Sequence, residues 1–316
     1  MMKHVALGLA AVAASMGFTD ERHGPDFSGA VAWLNSAPID FQSLHGKVVL
    51  VDIWTYSCIN SLRQLPYIQA WAAKYKDAGL VVIGVHTPEF SFEKERANVA
   101  QALPEYGVVY PVPMDNNYAI WNSLDNNYWP ADYFIDGKGK VRHHHFGEGD
   151  YAESERVIQE LLKENGAKNV PGGTVNPLGT GPEAPASGAD ETPETYVGAR
   201  RLAPSDLWSL SGGWDRGDES AILRTTPGTI TYRFHARDLH LVMGGSGNGK
   251  PIRFKVTLEG AAPGENHGVD VAPDGAGEIR EPRMYQLIRQ KGRIEDRTFR
   301  IEFLDPGVAA YSFTFG

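Results

Sequence analysis

The chain has 316 residues, with 30 Lys and Arg against 39 Asp and Glu, for a formal net charge of −9. That length suggests two domains, and 42% apolar with 22% charged residues is the composition of an ordinary globular protein. An acidic balance without a basic stripe argues against nucleic acid as a partner, and a single cysteine cannot form an internal disulfide.

Residues 1–24 read as a signal-like or membrane-proximal segment. A short cationic start at Lys3 and His4 precedes an apolar stretch over 5–18, with small residues at Ala11 and Ala13. The stretch is short for a membrane span. Read as a cleaved signal or as a retained anchor, it places the rest of the chain outside the cytoplasm.

Residues 25–165 alternate strand-like and helix-like segments, the pattern of an α/β fold with a central sheet. Segments 30–34 and 39–41 read as a leading hairpin, 47–54 as a central strand and 59–77 as a helix. That helix carries Leu62, Leu65, Ile68 and Trp71 on its apolar face, with a kink at Pro66. A strand over 80–86, a helix over 92–106, a strand over 109–112 and a helical turn near 117–123 come next. A hairpin of 133–135 with 141–145, turning at 136–139, and a helix over 153–165 complete the domain.

Residues 166–193 are rich in Gly, Pro, Ala and Thr and too poor in large apolar side chains to bury a core, so they read as a semi-extended linker. From 194 to 316 the pattern has period two: Ile230/Tyr232/Phe234, Ile252/Phe254/Val256/Leu258, Phe299/Ile301/Phe303 and Tyr311/Phe313/Phe315 each give one apolar face. Turns such as 244–249 separate them, and the whole reads as an all-β sandwich.

The reactive chemistry concentrates at Cys58. An apolar strand ends at Trp54, and Thr-Tyr-Ser-Cys58 then leads into a helical pattern, which places the thiol at a helix N-terminus. Unpaired N–H groups and aligned peptide dipoles there favour an anion. Such surroundings can lower a thiol pKa from about 8.5 to roughly 3.5–7.5. The expectation is a partly accessible, acidified thiol rather than a small buried hydrophobe.

Four motifs, GKVVLVDIW over 46–54, WTYSCINS over 54–61, LVVIGVHTPE over 80–89 and WPADYFID over 129–136, resemble the thioredoxin superfamily as an ordered set. The resemblance is closest to its extracytoplasmic TlpA/ResA-like branch and to the thioredoxin-like region of DipZ-type proteins. It implies a thioredoxin fold with a central mixed sheet flanked by helices, and a thiol:disulfide oxidoreductase in which Cys58 attacks a client disulfide. The family has Cys-x-x-Cys, whereas this chain has Ser61 at the resolving position. Serine cannot attack the mixed disulfide, so the chain should form such adducts and keep them. An engineered trapping substitution is the preferred reading of Ser61 over a natural Cys-x-x-Ser centre.

The same resemblance implies further roles. Asp52 matches the buried carboxylate that exchanges protons with the thiols. Pro130 matches the cis-proline whose preceding residue offers backbone groups to an extended client. Glu89 aligns with a glutamate near the active site that would raise the thiol pKa and favour reductive work, or else is a solvated helix-entry residue. Trp54, Tyr56 and Trp129, with Trp121 and Tyr128, could line a client groove, although most aromatics in such a fold are core.

DipZ-type proteins carry a CcdA-like membrane region ahead of this segment, which makes the N-terminus a candidate tail of such a region and implies a membrane electron donor of the CcdA type. The family's association with cytochrome c maturation is likewise implied. In position, residues 194–316 match a carbohydrate-binding-module-like domain. Trp208, Trp214 and Tyr196 could then form a sugar platform, and Asp270, Asp274 and Asp305 could bind calcium, with core packing and turn chemistry the preferred alternatives. The run His143-His-His145 reads as structural rather than metal-binding, since only alternate residues share a strand face. No cofactor is expected.

Two other function classes stay open. Thr55-x-x-Cys58 echoes a single-cysteine thiol peroxidase, without the proline that motif needs where Val51 stands. A non-catalytic glycan- or protein-binding protein on a thioredoxin-like scaffold is the other.

Overall fold

The computed structural model describes residues 23–178, 192–200, 206–245 and 250–316. Most of the signal-like segment, the middle of the linker and the glycine turn at 246–249 lie outside them. Among the described residues no helix is long and apolar enough to cross a membrane.

The first unit is built on strand β2 (Val48–Trp54), whose seven residues are all buried because both faces of the sheet are covered. Its side chains alternate between two cores. Val48, Leu50 and Trp54 join the apolar faces of α1 (Ile59–Tyr75), α2 (Arg96–Glu105) and α4 (Tyr151–Glu164), while Val49, Val51 and Ile53 pack on the side of α3 (Ala119–Ser123). β2 runs parallel to β3 (Leu80–His86) and antiparallel to β5 (Ala131–Ile135). With β1 (Ala32–Leu34), β4 (Val112–Met114) and β6 (Val141–Phe146) the order is β1-β4-β3-β2-β5-β6, the mixed sheet of a thioredoxin fold.

Three local expectations are corrected. The leading hairpin does not form: β1 pairs antiparallel with β4, Trp33 opposite Pro113, and 41–44 is a 3-10 turn whose Gln42 amide is held by the Asp40 carboxylate at 3.0 Å. The strand expected at 109–112 begins at Val112, and Val109 is 81% exposed. The helix expected over 92–106 is divided into a 3-10 turn, Ser91–Lys94, and α2.

The second unit is all antiparallel. β8 (Trp208–Arg216), β9 (Ala221–Phe234), β10 (Asp238–Gly245), β11 (Ile252–Leu258), β12 (Ala276–Ile279), β13 (Arg283–Arg289), β14 (Arg297–Phe303) and β15 (Val308–Phe315) form one ladder with the two-residue β7 (Thr195–Tyr196). Strand β9 spans its turn-over: Gly228–Phe234 pairs with β14, whereas Ala221 and Ile222 pair with β15. The two arms face each other across a single core containing Leu241, Phe254, Leu287, Phe299, Phe303 and Phe313.

Alternation places Tyr311 on the same face as Phe313 and Phe315. Instead, the register of β15 against β10 slips between Ser312 and Ala310, leaving Tyr311 as the extra residue of a bulge. Its ring leaves the sandwich core and packs on Phe90 and Phe92 of the first unit, with centroids 5.1 and 4.9 Å away. Val242 and Met284 join the same cluster, so the two units share apolar packing. Truncating a partly buried aromatic removes its packing and leaves a gap between the units, and we expect Tyr311→Ala to cost roughly 2 kcal/mol in urea unfolding of the whole chain.

Candidate active site at Cys58

Cys58 is the N-cap residue of α1, with extended backbone at φ −89° and ψ 120°. Its carbonyl accepts the Leu62 amide at 3.1 Å, which starts the helix. The half-buried Sγ lies 4.0 Å from the carbonyl oxygen of Trp129, and the Trp129–Pro130 bond is cis. One turn further on, Ser61 is buried, and its Oγ accepts the Thr55 amide at 3.4 Å. The thiol opens into a cleft of about 360 Å³ whose walls include Glu89 and Trp129 from the first unit and Glu194, Tyr196 and Phe315 from the second. The Tyr196 hydroxyl donates to the Glu89 carboxylate across the cleft.

The structure overturns the expectation of an acidified thiol. Burial, then the negative charges of Glu89 and Glu194, push the Cys58 thiol up to about 12, only partly offset by hydrogen bonds from the Ser61 amide and hydroxyl. A helix N-terminus is worth roughly 0.3–1 kcal/mol to an anion, less than one decade in an acid constant. Desolvation and two carboxylates acting together exceed it.

A residue to which the sequence assigns no role, Glu93, organises the loops on either side. Its fully buried carboxylate accepts the Thr55 hydroxyl at 2.5 Å and the Ser57 hydroxyl at 2.6 Å on one oxygen, and the amides of Glu89 at 2.5 Å and Phe90 at 2.9 Å on the other. Burial raises its pKa to about 7 against the pull of those donors. The amide contacts are half of a capping box, with Glu93 reaching back to the start of the 3-10 turn. An acidic residue between Phe92 and Lys94, just after Phe90, was the available signal.

Asp52 is buried in the centre of the sheet and lies directly opposite Asp132 of β5. Gln64, reaching in from α1, donates its side-chain amide to both, at 3.1 Å each. Burial raises both carboxyl pKa values, and the charge of each opposes ionisation of the other. Sequence reasoning singled out Asp52 and passed over Asp132, although a carboxylate inside the apolar run Ala131–Ile135 is the same kind of signal.

Of the expected groove aromatics, Trp129 reaches the cleft, braced by its indole N–H on the Thr87 carbonyl at 3.0 Å. Tyr128 also lines it. Trp54 and Tyr56 do not. Trp54 is fully buried edge-on to His86, and Tyr56 stacks on that imidazole while its hydroxyl donates to the Pro282 carbonyl of the second unit at 3.3 Å. Both face the core because they sit on the helix-packed side of β2 and its extension. Burial holds His86 neutral, its pKa pushed down to about 3.

Trp208 and Trp214 pack against the sandwich core, whereas Tyr196 packs against the apolar cluster of the first unit. Asp270 pairs with Arg283 and Asp305 with Arg253, while Asp274 caps a turn at the Ala276 amide. Among the described residues no group of three His, Cys, Asp or Glu side chains is disposed to hold a metal.

Comparison with known proteins adds to this geometry. Residues 20–162 match the Redoxin family, and residues 185–316 match a family described as the thioredoxin like C-terminal domain. Protein DipZ of Mycobacterium tuberculosis is 40% identical over 290 residues, covering 82% of this chain and 41% of DipZ. The thiol-disulfide oxidoreductase YkuV of Bacillus subtilis is 27% identical over 140 residues, 44% of this chain and 94% of YkuV. The thiol-disulfide oxidoreductase ResA of Oceanobacillus iheyensis is 27% identical over 108 residues, 34% of this chain and 54% of ResA. The chain thus spans about two fifths of the length of the DipZ protein it matches.

The site's electrostatics generate two expected outcomes. The rate of iodoacetamide alkylation at Cys58 should keep rising above pH 9, and Glu89→Gln should move that profile to lower pH, because removing a negative neighbour favours the thiolate. A plateau reached by pH 7 would contradict the raised thiol. Stability should also depend on pH. Glu93 and the Asp52–Asp132 pair bind protons more tightly folded than unfolded, so the free energy of unfolding should fall as pH rises from about 4.5 to about 7, by roughly 1.4 kcal/mol per pH unit for each titrating group. Urea unfolding across that range should show the slope, flattened in Asp52→Asn.

Proposed function

The chain belongs to the thioredoxin superfamily, and we propose that it is a thiol:disulfide oxidoreductase working as a reductant, with Cys58 as the attacking nucleophile. The observation that carries this is the half-buried thiol at the N-cap of α1, opening beside the Trp129 carbonyl into a cleft, with Ser61 one turn behind it. The description of YkuV and ResA as thiol-disulfide oxidoreductases supports the reaction class.

In the proposed reaction the Cys58 thiolate attacks one sulfur of a client disulfide. The client S–S bond breaks, its second sulfur leaves as a thiolate and takes up a proton, and a mixed disulfide joins client to Cys58. Release needs a second thiolate at position 61, and the Ser61 hydroxyl is far too weakly acidic to supply one. The raised thiol pKa sets the direction: a sulfur that holds its proton strongly is a strong nucleophile once deprotonated and a poor leaving group, which favours reduction of the client. We assign Asp52, coupled through Gln64 to Asp132, the role of a proton reserve beneath the site. Trp129 and Pro130 form the edge against which the client lies, and Glu89 keeps the thiol pKa high.

The peroxidase reading is less well supported, since the Thr55 hydroxyl is spent on Glu93 and the thiol is not acidified. We further propose an extracytoplasmic setting, on the apolar N-terminal stretch, with electrons arriving from a membrane donor of the CcdA type.

Incubation with oxidised insulin should yield one reducible adduct per chain on non-reducing gels and by intact mass, without catalytic turnover. Ser61→Cys should abolish the accumulation, restore turnover and give a dithiol potential near thioredoxin's, about −270 mV, rather than about −120 mV. Insulin reduction by the Ser61 chain at the rate of the Ser61→Cys variant would overturn the scheme and leave a monothiol mechanism.

A further inference from the structure

The two units meet over a face of the β sandwich that is half polar. Opposed residues of neighbouring strands share a face, and so do residues two apart on one strand. His240 of β10 is opposed by Gln286 of β13 and Thr314 of β15, and Val242 by Met284 and Ser312. Val242 and Met284 pack into the apolar cluster of the first unit, so the other four face that unit with them. All six are buried, His240 completely. Neither ring nitrogen of His240 has a hydrogen-bond partner in the protein, and the same holds for the Gln286 side-chain amide and the Ser312 hydroxyl. We propose that His240 is a latch between the units: they stay docked while its imidazole is neutral, and its protonation parts them, lifting the wall that contains Glu194 and Phe315 away from Cys58.

A proton entering the closed junction would meet a hostile setting. Charged groups act on the ring from three elements: Arg237 and Asp238 at the start of β10, Arg289 of β13 and Arg63 of α1. Strand β15 offers only the uncharged Ser312 and Thr314 opposite β10. Asp238 is the carboxylate of the group, and both its oxygens are engaged, by Arg237 at 2.9 Å and Arg289 at 2.7 Å. An imidazolium would thus be shut away from water, near three guanidinium groups and without an acceptor of its own. Burial first, then the guanidinium charges, against the pull of Asp238, hold the docked ring at a pKa of about 3, whereas a solvated histidine titrates near about 6.5. The proton therefore binds the parted form more tightly. Docking is at full strength above about pH 6.5 and weakens about tenfold for each unit below it. The polar contacts beside the patch are long, Arg63 to the Phe315 carbonyl at 3.5 Å and the Tyr56 hydroxyl to the Pro282 carbonyl at 3.3 Å. On opening, Gln286 and Ser312 regain water, which lowers the cost of parting. Glu93 and the Asp52–Asp132 pair take up protons in the same range with the opposite sign, since their protonation stabilises the fold of the first unit.

Methionine oxidation reads the junction directly. Met284 is buried between the units, whereas Met243 is buried in the sandwich core and Met114 within the first unit, so those two are reached only by unfolding. The full chain is treated with dilute hydrogen peroxide from pH 8 to pH 5; one peroxide oxygen passes to the thioether sulfur as sulfoxide and the other leaves as water. Sulfoxide at each methionine is followed by peptide mass, and each rate is divided by that of free methionine at the same pH. We expect the Met284-to-Met243 ratio to rise at least tenfold from pH 8 to pH 5, toward the limit of about 30-fold that one proton sets for a group of free pKa about 6.5. In His240→Gln and His240→Leu, which cannot take up that proton, the rise should be less than twofold. A flat ratio in the unsubstituted chain, or a rise kept in both variants, would overturn the inference. Oxidation of Met243 or Met114 in step with Met284 would mark unfolding and overturn it as well. None of these readings passes through disulfide exchange at Cys58, so the latch stands or falls apart from the oxidoreductase reading.

Discussion

A carboxylate shut away from water and surrounded by four donors holds the site together. Glu93 ties Thr55 and Ser57, which lead into the thiol, to the backbone of Glu89 and Phe90, which lead into the opposing carboxylate and the aromatic contact with Tyr311. A hydrogen bond of this kind contributes about 0.5–1.5 kcal/mol, and leaving such a donor buried and unpaired costs about 1–3 kcal/mol. Neither loop can therefore move without the other. The placement of Cys58 and Glu89 relative to one another depends in part on this buried group.

With the loops fixed, the reactivity of Cys58 is decided by what surrounds it rather than by its place on a helix. The helix terminus is a weak and local influence. The cleft walls, the two carboxylates and the limited access of water all act against the thiolate, and the hydrogen bonds that Ser61 donates to the sulfur offset them only in part. The same low-dielectric setting beneath the sheet leaves Asp52 and Asp132 sharing a single bridging amide, so that one of them holds a proton at a pH where a solvated carboxyl would have lost it.

The β unit is bound to the thioredoxin unit through a bulge and a few apolar side chains, yet it supplies half of the cleft. A single extra residue in β15 turns Tyr311 outward onto Phe90 and Phe92, and Tyr196, whose ring also lies beside Phe90, forms part of the wall that faces the thiol. Tyr196 then reaches Glu89 directly, joining the two units at the charge that matters most to the sulfur. Arg63 of α1, paired with Glu148 at 2.9 Å and in reach of the Phe315 carbonyl, anchors the other side of the same junction.

Sequence alone determined the features that depend on neighbours a few residues away. Period two and period 3.6 mark β2, β3, α1 and the sandwich strands, because burial of one face repeats with the local geometry of the backbone. The order of four motifs marks the superfamily, and the segment between Trp54 and Ser61 marks the thiol and the serine that follows it. The tertiary structure decided what depends on distant residues: Thr55 meets Glu93 across 38 positions, Gln64 meets Asp132 across 68, and Tyr196 meets Glu89 across 107. The mispredicted hairpin, the outward turn of Tyr311 and the buried Trp54 and Tyr56 belong to the same class, since pairing partner, register slip and covered face are set by the sheet and not by the strand. So does the sign of the thiol's pKa shift. Electrostatic energy in a protein depends on distance and on the exclusion of water, so the resemblance could point to Glu89, while the burial of the thiol and the approach of Glu194 emerge only from the fold.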